Sequence, residues 1–83
     1  MDESTLREGL ARLGIGSDDW RSVLVLPLVQ VAWADTTIQG GERLRIAELS
    51  RELGANPTLV ERWLTERPSN DELTLARQLI VAL

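Results

Sequence analysis

The sequence predicts an all-α fold, and three observations carry that expectation. Apolar residues recur at spacings of three and four along most of the chain. No stretch alternates apolar and polar residues with the period of two that a half-buried strand would show. The interruptions are helix punctuation, with glycines where apolar runs end and Asn-Pro or Ser-x-x-Glu where they begin. The expected architecture is a single domain over residues 1–83, a compact bundle of about five helices around a central apolar helix at about 18–35.

The first helix is expected from about Glu3 to Leu13, with Leu6, Leu10 and Leu13 on one stripe and Gly14 placed to stop it. After the turn Gly14–Ser17, Ser17 or Asp18 can cap the second helix. That helix is apolar nearly all round. Trp20, Val23, Leu24, Pro27, Leu28, Val31 and Ala34 form one face, expected to be the main core stripe, while Val25, Leu26, Val29, Ala32 and Trp33 cover much of the other. Pro27 should remove one backbone hydrogen bond and bend the helix without splitting it. The third helix, about Gly41 to Leu53, aligns Ile46, Leu49 and Leu53, leaves Leu44 on its far side and ends at Gly54. Asn56-Pro57 is an N-cap followed by proline at the first helical position, so a fourth helix starts there and buries Leu59, Val60, Trp63 and Leu64. Ser69 and Glu72 read as a capping box for a fifth helix that runs to the end of the sequence.

Composition narrows the chemistry. The 83 residues include no cysteine and no histidine, and all nine basic residues are arginine. Disulfides, thiolate metal sites, imidazole bases and Schiff-base lysines are thereby excluded, which leaves carboxylates and hydroxyls as the only catalytic groups. A non-enzymatic role without a cofactor is expected. Net charge is −4, opposite to the balance that phosphate neutralisation requires, so nucleic acid is not the expected partner. The acidic start Met1-Asp2-Glu3 does not resemble a signal peptide, and the apolar run Val23–Ala34 is too short to span a bilayer. A soluble, cytoplasmic protein is the expectation.

One constellation has alternatives. Asp35 and Glu42 bracket the loop Thr36–Gly41, and helical geometry aims both inwards. Backbone capping is the reading preferred for the pair. The sharper alternative is a calcium or magnesium site, but the twelfth place counted from Asp35 is Ile46, where an EF-hand loop needs glutamate. The surplus of apolar helix has two readings: an association surface with Val25, Val29, Trp33 and Val81 as its candidates, which is preferred, or a second helix wrapped completely by helices one and five, with Val29 and Trp33 as core residues of a monomer.

Ala-Trp-Ala-Asp35, a short loop carrying Ile38, Glu42 leading a helix that ends Leu53-Gly54, and then Trp63-Leu64 with Arg67-Pro68-Ser69 together resemble the TerB-like domain of tellurite-resistance and related bacterial proteins. The likeness covers roughly residues 20–83. It implies a compact helical bundle that acts as an interaction module in metal-stress or defence systems, without enzymatic activity. Asp35, Ile38 and Glu42 match the family pattern of Ala-Asp-Gly, an apolar residue and then glutamate. Thr36 replaces the glycine, and Gln39-Gly40-Gly41 add no acid, so the resemblance supports the fold and a protein partner, or self-association, more than a cation-sensing role through Asp35 and Glu42.

Overall fold

A computed structural model describes residues 2–35 and 38–83. It contains five α-helices: α1 (Glu3–Arg12), α2 (Leu26–Ala32), α3 (Gly40–Leu53), α4 (Pro57–Thr65) and α5 (Asn70–Ala82). Short 3₁₀ segments, Ser17–Val25 and Trp33–Asp35, flank α2, and no strand occurs among the described residues. The segment from Ser17 to Ala32 touches all four other α-helices and is the centre of the bundle.

Local chemistry accounts for most element ends. Asp2 caps α1, its carboxylate accepting from Thr5 N at 2.8 Å. Gly14 (φ 76°) adopts the left-handed conformation and ends α1, with Gly14 N donating to Ala11 O and Ile15 N to Leu10 O. Gly54 (φ 78°) ends α3 with the same paired bonds, to Arg51 O and Ser50 O through Gly54 N and Ala55 N. The Asn56 cap and the reciprocal Ser69–Glu72 capping box both form as the sequence implies.

The central segment departs from expectation. A single helix over 18–35 is replaced by a 3₁₀ segment that becomes α-helical at Leu26, with a kink at Asp19 (φ −105°, ψ 19°). Proline supplies a reason for the change at Leu26. An α-helix running through Pro27 would need its missing N–H to bond to Val23 O, and the ring would crowd that carbonyl. Leu26 N bonds to Val23 O instead, one residue closer, which is the 3₁₀ pattern. Pro27 then lies in the first turn of α2, where a missing N–H is harmless.

The buried face of this segment is also not the expected stripe. Ser22, Val23, Val25, Leu26, Val29 and Ala32 are buried among Leu10, Leu13, Ile15, Ile46, Val60, Trp63, Leu64 and Leu79. Trp20, expected in the core, is 37% exposed with the Arg21 guanidinium 5.3 Å from its ring centroid. Leu28 and Val31 also face outwards, whereas Trp63 is buried as expected. Polar contacts fix this rotation. Asn56 N donates to Ser22 Oγ at 2.8 Å, and Asn56 Nδ2 donates to Asp19 Oδ2 at 3.0 Å. The α4 cap thus draws the Ser22 side of the central segment inwards.

Candidate functional site

The outward face of α2 meets α3 in a shallow apolar groove. The two helices run antiparallel. Arg21, at the start of the central segment, lies beside Gly54, its Cδ 3.7 Å from where a Cβ on that glycine would sit. At the other end, Val31 of α2 and Glu42 of α3 line the same groove. The groove has a volume of about 240 Å³ and is walled by Leu28, Val31, Ala32, Glu42, Arg45, Ile46 and Leu49. Ala32 and Ile46 are buried, Leu28 and Leu49 are exposed at its margins, and Val31 stands 75% exposed on its rim.

Its two charged residues have opposite signs and sit one turn apart on α3. Glu42 occupies the first turn, where the helix dipole favours a carboxylate. Both Glu42 and Arg45 are exposed, and neither is in an ion pair among the described residues. The neighbouring Arg43 is committed elsewhere, donating to Glu61 Oε1 at 2.9 Å and to Leu64 O at 2.8 Å, which ties α3 to α4. The groove walls are therefore braced from behind.

The four residues expected to form an association surface are not brought together. Val25 and Val29 are 0% exposed, which corrects their assignment: they pack in the core and cannot meet a partner in the folded chain. Trp33 is half-buried against the core, and its indole Nε1 donates to Trp63 O at 2.8 Å, so it is a bracing residue between the 3₁₀ end of α2 and α4. Val81, on α5, is exposed and lies outside the groove. The loop pair is corrected in part. Glu42 does align with Ile46 and Leu49, but it is exposed and does not aim inwards. The Asp35 side chain and Thr36–Thr37 lie outside the described residues. Among the described residues, no three acidic side chains gather as a metal-ligand group.

Sequence reasoning missed Leu28, Val31 and Leu49 as surface because it gave them to the core stripe. The side that is packed instead includes a polar residue, Ser22. Its hydroxyl oxygen accepts from the part-buried backbone N–H of Asn56. Among the described residues, no helix is long and apolar enough to cross a membrane. Comparison with family models, curated proteins and solved structures finds no match.

Proposed function

We propose that this chain is a TerB-like, non-enzymatic protein-interaction module of a bacterial stress or defence system, acting in the cytoplasm through the α2/α3 groove. The observation that carries this reading is the outward side of α2. Leu28 and Val31 are left uncovered beside Leu49, although an equally apolar side of the same helix is fully packed. Leu28, Val31 and Leu49 gather around one hollow instead of being scattered singly over the surface, and contiguity is what distinguishes a contact surface from ordinary exposed apolar residues. The resemblance over residues 20–83 supports the same class of role. The residue inventory supports a binding role over catalysis, because the groove offers a single carboxylate and a guanidinium, with no hydroxyl, thiol, amine or imidazole lining it.

The test is site-specific photo-cross-linking in a bacterial host, with the reactive group placed at Val31 or, as control, at Leu44, which is exposed on the far side of α3. Cross-links to protein from position 31 and none from position 44 are expected. Equal labelling from both positions, or none from 31, would overturn the reading.

A further inference from the structure

We infer that the occupant of the α2/α3 groove is a second copy of this chain, docked about a two-fold axis that crosses α3 between Glu42 and Arg45. The inference rests on the α2/α3 face being the contact surface. It goes further in naming the partner.

Two features of the face fit a copy of itself. The first is shape. Val31 projects from the rim of a hollow whose floor is Ala32 and Ile46, so one surface carries both an aliphatic knob and a place for one. In a two-fold interface each copy supplies the same patch, and a contact from residue i to residue j is repeated from j to i. Val31 of each copy can then seat between Leu28 and Leu49 of the other.

The second feature is charge. Glu42 and Arg45 cancel, so the groove is locally neutral although the chain carries −4. With the two α3 helices antiparallel across the axis, Glu42 of each copy faces Arg45 of the other, giving two opposite-charge pairs at the rim. A partner presenting only acidic or only basic side chains would meet a like charge at one of the two positions, which is the penalty that selects complementary surfaces. Seven residues line the groove, against about 20–30 a side in a standard interface, so the dimer belongs to the weak, concentration-dependent class.

Sedimentation equilibrium on the full chain, from roughly 10 μM to roughly 1 mM, tests this. The parent should shift from monomer to dimer across that range. Glu42→Arg alone puts two arginines against two arginines, and Arg45→Glu alone puts two glutamates against two glutamates. Each should raise the dimer dissociation constant roughly tenfold to a hundredfold. An equimolar mixture of the two variants should dimerise again, because both rim pairs become Arg–Glu, and the double variant Glu42→Arg/Arg45→Glu should recover the homodimer. Both positions are exposed, so the variants should remain helical, which circular dichroism checks. A parent that stays monomeric throughout overturns the inference, as does a dimer indifferent to either reversal, or a mixture that fails to associate. A monomeric parent that still cross-links to another protein from position 31 would overturn the second copy while leaving the interaction-module reading intact.

Discussion

Val29 and Val31 lie two residues apart on α2, and the structure treats them oppositely. Val29 is 0% exposed and packed on every side; Val31 is 75% exposed on the rim of a groove. Both are β-branched, both sit in an apolar helix, and neither has a charged neighbour in sequence to mark its side. What separates them is the set of elements laid against the helix. α4 and α5 pack on the Val25–Val29 side, with the Asn56–Ser22 and Trp33–Trp63 hydrogen bonds holding that side towards them. α3 covers the other side only partly. Apolar character decides that a helix face wants to leave water; the count of available neighbours decides whether this chain can do it alone.

Placing a charge at Val29 should break the molecule. A carboxylate there is stripped of water with no partner, a loss of several kcal/mol against a total stability of about 4–12 kcal/mol for a domain of this size. Val29→Glu is expected to abolish cooperative unfolding in a urea titration followed by circular dichroism. A well-folded Val29→Glu protein would mean that the inward face of α2 has been misplaced.

Next in size is Trp63, the largest side chain of the inward cluster. Trp63→Ala should cost about 3–5 kcal/mol in chemical denaturation. Its indole N–H is buried without a hydrogen-bond partner among the described residues, so Trp63→Phe should recover much of that loss by removing the unsatisfied donor. Equal destabilisation by alanine and phenylalanine would contradict that explanation.

The rotation of the central segment should depend on Asn56. Its side chain accepts from Thr58 N at 2.9 Å and donates to Asp19, while its own N–H donates to Ser22. Asn56→Ala removes the cap and leaves Asp19 without this donor, for an expected loss of about 1–3 kcal/mol. Asn56→Asp keeps the cap but sets a carboxylate against Asp19. It should therefore be less stable than the parent near neutral pH and gain relative to it as the pH falls.

The smallest effect belongs to Asp2. The hydrogen bond from Thr5 N–H holds its carboxyl below the ordinary value of 3.8. A depressed folded value means that the group stabilises α1 above the ordinary value and loses that contribution as pH falls through the lower, folded one. Asp2→Asn retains an N-cap that does not titrate. The parent should fray at α1 below about pH 3.8 relative to this variant, as seen in helical circular dichroism during acid titration.

The five helices were legible because their ends are chemical. Glycine at Gly14 and Gly54, Asn56-Pro57 and the Ser69–Glu72 box each meet a backbone need that local sequence alone can show. The candidate site was not legible, for the opposite reason. Which way Ser22, Trp20 or Val31 points depends on α4 and α3, elements nine or more residues away, and a helix apolar all round carries no polar stripe to declare its outer side. Pro27 added to this by changing the residues per turn ahead of α2, so that a wheel drawn with one period through 18–35 rotates Trp20 to the wrong side. The alignment of Glu42 with Ile46 and Leu49 is legible in the spacing along α3, whereas its exposure is not, because that depends on how α2 lies beside it.

Sedimentation of Val31→Glu beside the parent decides whether the outward face of α2 belongs to a partner or to the core. Val31 is exposed, so the variant should remain helical with stability within about 0.5 kcal/mol of the parent. It should sediment as a monomer at concentrations where the parent is a dimer. A Val31→Glu protein that unfolds would place Val31 in the core, and one that dimerises as readily as the parent would show that this face is not the contact surface.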